Sequence, residues 1–263
     1  MDIFISLPAQ TLEVFSGVRR LFRYSVSTAR NGAGELKGSF MTPRGRHVVR
    51  AKIGENSPEN AVFVARRPTG EIWSPGLSSQ FPDRDWILTR ILWLSGKEPG
   101  RNRLGQVDTM RRYIYLHGSP DTVSMGAPGS IGCVRMRNAD ILELFSSIPV
   151  YTAVNIGEFA IDSVRECGAE ALFQAIDHVG ETIGDAVLRA DGHIHRLEVA
   201  EAWRRKGVAT QLLRAIAAYA RDKGLAAIEL RVASDSAGWL QRLGFNAETH
   251  SASYVSLRQN LSV

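Results

Sequence analysis

Between Arg30 and Gly76 the chain meets a backbone breaker every few residues, and this spacing limits its possible folds more than any other feature. Gly32, Gly34, Gly38, Pro43 and Gly45 interrupt the first part, and Gly54, Pro58, Pro68-Thr69-Gly70 and Pro75-Gly76 the second. A helix needs ten or so uninterrupted residues, so such a stretch accommodates only short β-prone runs joined by turns. The runs are there: Ile3, Ile5 and Leu7 alternate at the start, Leu12, Val14 and Phe15 follow, and His47–Ala51, Ala61–Ala65 and Arg112–Leu116 read as further strands. A short helix over Ala139–Ser147, capped by Asn138 and closed by Pro149, and a strand over Val150–Ile156 end this mainly β portion.

The pattern then changes. Ser163-Val164-Arg165-Glu166 reads as a capping box opening a helix with apolar positions 164, 167, 171, 172 and 175, which would put Cys167 in the core. Strand-like segments at Glu181–Leu188 and His193–Val199 precede an amphipathic helix, Gly207 to Lys223, with Ala209, Leu212, Leu213, Ile216 and Ala220 on one face and Gly224 as its stop. A strand over Ala227–Val232 and a short helix near Gly238 complete an α/β portion. A length of 263 residues divided by about 150 per domain gives about 1.75. The period change, near Ile156–Ile161, divides the chain into domains 1–157 and 158–263.

Charge follows the same division. Residues 1–157 carry 20 Lys and Arg against 13 Asp and Glu, a net +7, whereas residues 158–263 carry 12 against 14, a net −2. No Lys/Arg run exceeds three residues, so the basic half fits anionic small substrates and no nucleic-acid partner is expected. No stretch reaches the ~18 apolar residues of a membrane helix, so no integral membrane segment is expected. The start, Met1-Asp2-Ile3-Phe4, lacks a basic leader, and Cys133 and Cys167 form no disulfide framework; together these place the protein in the cytoplasm.

The richest chemistry lies between Tyr115 and Asn138. His117 ends a strand, and Cys133 follows sixteen positions later beside Gly132 in a loop. An imidazole within reach of a thiol lowers its pKa and makes it a nucleophile, and neighbouring N–H groups can hold an oxyanion. Taken singly, each residue is as readily a structural thiol or a core histidine. The wider pattern, His117, a dozen residues, then Ser130-Ile131-Gly132-Cys133-Val134-Arg135 with Asn138 nearby, resembles the L,D-transpeptidase (YkuD) family, as does Gly38-Ser39 through Thr42-Pro43-Arg44-Gly45 upstream. The resemblance implies Cys133 as nucleophile, His117 as base and the Gly118 carbonyl as its orienting acceptor. It also implies an oxyanion hole at Gly132 and Cys133, a loop shaped by Ser130, and Arg135 as partner of a substrate carboxylate. Ile131 stands where the family often has His. The family reaction attacks the third residue of a peptidoglycan stem tetrapeptide, releases D-Ala and leaves a thioester; an amine acceptor then gives a cross-link and water an L,D-carboxypeptidase. No cofactor and no metal is expected for this domain, and soluble muropeptides are the expected substrates.

In the second half, Leu197-Glu198-Val199 leads through Arg204-Arg205-Lys206 to Gly207-Val208-Ala209-Thr210 at a helix start, a turn suited to a pyrophosphate. It resembles the acetyl-CoA motif of GNAT N-acetyltransferases, with Leu243-Gly244-Phe245 as the family's closing triplet. The resemblance implies acetyl-CoA held by these residues, with Leu197 and Val199 on the splayed strand and Glu198 as a base for acetyl transfer. Leu240 replaces the Tyr that often serves as acid, and the front of the domain is short. His193 and His195 share a strand face without further metal ligands in view. The expectation is an L,D-transpeptidase-like β-sandwich with short helices joined to an abbreviated α/β GNAT fold. Two alternatives remain: a non-catalytic CoA-binding or regulatory module in the second half, or amide-bond formation in small-molecule biosynthesis by the first.

Overall fold

A computed structural model describes residues 1–250 and 253–261. Contacts group the chain into two units: Met1–Glu13 with Arg23–Glu158, and Val14–Phe22 with Phe159–Val263.

The first sheet is built from β1 (Asp2–Ser6), β2 (Thr11–Ser16), β3 (Arg19–Ser25), β4 (Gly45–Ile53), β5 (Ala61–Val64), β6 (Arg67–Ile72), β7 (Ile87–Gly96), β8 (Tyr115–Gly118), β9 (Val134–Met136) and β10 (Ala153–Gly157), with α1 (Pro75–Gln80) and α2 (Asn138–Ser147) as its helices. The strand order is β3-β2-β1-β10-β4-β7-β5-β6, and the sheet branches at β7, which also pairs β8, which in turn pairs β9. The two short strands β8 and β9 run parallel in the register Leu116↔Val134, His117↔Arg135 and Gly118↔Met136. Leu88, Ile91, Leu92 and Leu94 of β7 and Leu116, Val134 and Met136 beside it are all fully buried, so the branch point is also the core.

Most of the breakers fall in turns, but Pro68 and Gly70 lie inside β6, and Pro75-Gly76 opens the short helix α1, capped by Ser74, where only strands and turns were expected. Several boundaries move: Tyr113 and Tyr151 take positive φ in turns, so β8 and β10 begin three residues later than Arg112 and Val150, β4 extends two residues beyond His47–Ala51 at each end, and β7, the longest strand, was not predicted. Asn138 is the first residue of α2, not its cap; its side chain accepts from Thr89 Oγ1 at 2.6 Å and donates to Asn60 Oδ1 at 2.8 Å.

In the second unit β11 (Phe159–Ile161), β12 (Arg165–Cys167), β13 (Glu170–Asp177), β14 (Thr182–Arg189), β15 (His193–Val199), β16 (Ala227–Ala233), β17 (Asn246–His250) and β18 (Tyr254–Asn260) form one sheet in the order β11-β13-β14-β15-β16-β18-β17, with β12 also on β13. The helices are α3 (Val208–Asp222) and α4 (Ala237–Arg242). The helix predicted from Ser163 is instead the β12–β13 hairpin. Gly168, at φ +62°, turns it, and Ala171, Phe173 and Ala175 are buried in strict alternation. Cys167 is therefore exposed on an edge strand rather than in the core. The helix predicted over Gly207–Lys223 is α3, its start set by Gly207 at φ +94° and its inner face by Leu212, Leu213, Ile216 and Ala220, all fully buried.

Candidate active site

β8 and β9 carry the two chemical groups on adjoining parallel strands. His117 is fully buried, and its Nδ1 lies 2.8 Å from the Gly118 carbonyl. A carbonyl only accepts, so Nδ1 bears the proton and Nε2 is left with a lone pair. Nε2 is buried and has no hydrogen-bond partner among the described residues. Burial also depresses the His117 pKa, against the opposing pull of Asp85, and holds the ring neutral. Gly118 is required here because a Cβ would run into Asn138 Oδ1 and the Leu88 carbonyl. Asn138 belongs to a polar network, Asn60–Thr89–Asn138, in which Thr89 accepts from the Asn60 N–H at 3.0 Å. Thr89 holds φ at +66°, a strained value for a β-branched residue.

Cys133 sits one position before β9, so the strand register sets it beside Tyr115, two residues from His117. The thiol donates to the Tyr113 carbonyl and accepts from the Tyr115 N–H, both at 3.4 Å. It makes no hydrogen bond to His117. Burial pushes the thiol up to about 12, with Asp85 acting the same way against the Tyr115 N–H, Arg135 and Arg112. The resting state is thus a neutral thiol beside a neutral imidazole.

The loop before Cys133 is tied from within and from afar. Ser130 Oγ donates to the Cys133 carbonyl at 2.6 Å and accepts from the Gly132 N–H at 3.1 Å, which occupies one of the two amides expected at an oxyanion hole. Gly132 lies at φ +134°. Its carbonyl accepts from Thr42 Oγ1 at 3.0 Å, and Thr42 Oγ1 in turn accepts from the Ala29 N–H at 3.0 Å. The upstream Thr-Pro-x-Gly segment and the cysteine loop, 90 positions apart, are joined by this single buried hydroxyl.

Arg135 is placed differently from a substrate clamp. Its guanidinium is largely buried, pairs with Asp85 at 2.5 Å and donates to the Gly129 carbonyl at 3.2 Å. Asp85 lies 50 positions away, on the loop before β7, and no sequence signal marks it. A cleft of about 500 Å³ opens over Cys133, lined among others by Asp85, Arg66, Arg112, Tyr113 and Ile131.

In the second unit β15 and β16 run parallel but pair only at His193↔Glu229 and Ile194↔Leu230. Beyond Ile194 they diverge, and an opening of about 900 Å³ takes in Leu197, Glu198, Val199, Arg204 and Ala209 of the predicted set, with Asp185, Glu201, Ser236 and Trp239 that sequence reasoning missed. Arg204 reaches back to donate to the Val199 carbonyl at 3.3 Å. Arg205, Lys206, Gly207, Val208 and Thr210 do not line this opening; Lys206 lies over the Trp203 ring, and the Val208 side chain is buried in the core. Leu240, where an acid would stand, is fully buried in α4. The front of the unit holds two three-residue strands, β11 and β12, before β13.

The sequence matches the L,D-transpeptidase catalytic domain family, YkuD, over residues 1–156, and the GNAT acetyltransferase family over residues 142–245. No curated protein matches the chain. Among solved structures, an L,D-transpeptidase (residues 123–326) from Xylanimonas cellulosilytica is 21% identical, covering 59% of this chain and 59% of that one at a TM-score of 0.35. An L,D-transpeptidase from Mycobacterium smegmatis is 19% identical over 59% of this chain and 57% of that one, also at 0.35. This chain therefore spans less than two thirds of either structure. A GNAT family acetyltransferase from Elizabethkingia anophelis, with acetyl-CoA bound, is 18% identical over 39% of this chain and 98% of that one, at 0.33. Since the catalytic-domain match takes in more than half of the residues, from the first strand through β10, the chain belongs to the YkuD family of L,D-transpeptidases and carries a GNAT acetyltransferase region behind that domain.

Proposed function

We propose that residues 1–157 form a cysteine acyltransferase acting on peptidoglycan stem tetrapeptides and that residues 158–263 bind acetyl-CoA. Cys133 attacks the carbonyl of the third stem residue, D-Ala leaves, and a thioester remains until water or an amine resolves it. The observation that carries this reading is His117. It is an imidazole fixed by Gly118 so that its only unprotonated nitrogen is buried and unpartnered, one strand away from a half-buried thiol. A base so prepared takes the thiol proton once the Cys133 side chain turns from Tyr113 toward it. Soluble muropeptides, including cytoplasmic ones, are the substrates we assign, with the tripeptide as product when water is the acceptor.

Mass spectrometry of a soluble tetrapeptide muropeptide incubated with the protein tests the assignment. D-Ala release that is lost in Cys133→Ala supports it, and release that persists in that variant removes Cys133 from the nucleophile's role. Tripeptide as the product favours hydrolysis, and cross-linked dimers favour transpeptidation.

For the second half we propose that acetyl-CoA occupies the gap where β15 and β16 diverge, its pyrophosphate at the Arg204–Gly207 turn and the N-terminal amides of α3, with Glu198 as the base for an amine acceptor. The buried Leu240 favours a second reading, a CoA-binding module without acetyl transfer. Acetyl-CoA titration with product analysis separates the two: acetylated muropeptide supports the enzyme, and binding without turnover supports the module.

A further inference from the structure

Four cations line the cleft over Cys133: Lys37, Arg66, Arg111 and Arg112. Arg112 is spent on the Gly34 and Met41 carbonyls and the Ser39 hydroxyl, and Lys37 and Arg111 are exposed. Arg66 alone is both held and available. Its guanidinium lies over the rings of Trp93 and Tyr113 at 4.6 and 4.7 Å, and Nη1 donates to the Tyr115 hydroxyl at 3.0 Å. Nε and Nη2 meet no acceptor among the described residues. Stacking immobilises the planar group in advance and leaves a forked donor edge, the arrangement that suits a carboxylate. Tyr115 ties this edge to the nucleophile, because its N–H meets the Cys133 sulfur.

The backbone gives a second, independent reason. Ala65 and Arg66 are the two turn residues between the paired positions Val64 and Arg67, at φ +47° and +66°. Two-residue turns of this kind favour Asn and Gly, so an Arg there is held against its own preference, as residues at ligand sites often are.

We propose that Arg66 recognises the terminal carboxylate of the peptide substrate, the role that the family resemblance implied for Arg135. The inference rests on the reading of this cleft as a peptide site, and the test separates the two. Titration of the Cys133→Ala protein with a stem tetrapeptide and with its C-terminal amide reads binding without chemistry. We expect the acid to bind about tenfold more tightly than the amide, and Arg66→Met to erase that difference while leaving amide binding unchanged. Arg66→Lys, which keeps the charge without the fork, is expected to retain only part of it. In protein with Cys133 intact, Arg66→Met should raise KM for the acid about tenfold with kcat within about threefold. Equal affinity of the Cys133→Ala protein for acid and amide overturns the proposal, as does a preference for the acid that survives in Arg66→Met. Either result leaves D-Ala release by Cys133 to stand or fall on its own assay.

Discussion

The Cys133 hydrogen is committed to the Tyr113 carbonyl, and its sulfur is approached by a single backbone N–H. Desolvation then outweighs the nearby arginines and keeps the group a thiol. Alkylation of Cys133 by iodoacetamide is therefore expected to accelerate with pH through the ordinary thiol value of 9.0 and on toward about 12. A plateau near neutrality would show a standing thiolate–imidazolium pair. The same shift makes the protonated thiol a stabilising group below pH 9.0, with that contribution lost as pH climbs toward 12. Thr42 is the other residue on which the loop depends. Thr42→Val removes a donor to the Gly132 carbonyl and an acceptor for the Ala29 N–H, both buried, and is expected to cost about 1–3 kcal/mol. A denaturant melt reads the cost, D-Ala release slows with it, and Thr42→Ser restores most of both. Cys133, His117 and Thr42 were legible in the sequence as members of two short patterns. Asn138 was legible too, as part of the cysteine pattern, but its partners Asn60 and Thr89 and the residue Asp85 were not, since nothing local distinguishes a buried hydrogen-bonded side chain from a solvated one.

Strands and helices were read correctly where one period dominated. α3 emerged within a residue or so at each end because five apolar positions share one face and glycines bracket it. The stretch from Ser163 failed because its apolar positions fit a 3.6-residue period about as well as a period of two, and only pairing with β14 along Leu172↔Val187 and its neighbours decides for the strand. Pairing also shapes the second site. Gly184 of β14 allows β15 and the start of α3 to come close, since a Cβ there would lie 2.8 Å from the Glu198 carbonyl and 3.1 Å from Val208 Cγ1. Gly184→Val is accordingly expected to lose about 1–3 kcal/mol by overpacking and to weaken acetyl-CoA binding. Thermal melting and acetyl-CoA titration of the variant check the two effects, and unchanged affinity would separate the β15–β16 opening from the cofactor.

Charge is a property of the whole chain, and it is distributed unevenly, +7 over residues 1–157 and −2 over residues 158–263. A net positive field over the first half attracts anions and is screened by salt over a Debye length of ~10 Å at 0.1 M. Raising ionic strength from about 0.02 to about 0.5 M is expected to increase KM for the tetrapeptide severalfold. Iodoacetamide, which is uncharged, should alkylate Cys133 at the same rate throughout, and a parallel loss in both would point to the fold rather than the field. Local order, by contrast, was written along the chain: turn residues, strand and helix periods, and the two family patterns all depend on neighbours within a few positions. The tertiary structure alone decided which arginine of the cleft is held in place by stacking. Arg135 is consumed by an Asp 50 positions upstream, and Arg66, 67 positions before Cys133, is stacked on Trp93 of β7 and on Tyr113 in the turn before β8. Such partners are set by strand register, which depends on contacts between distant segments and leaves no local mark in either one.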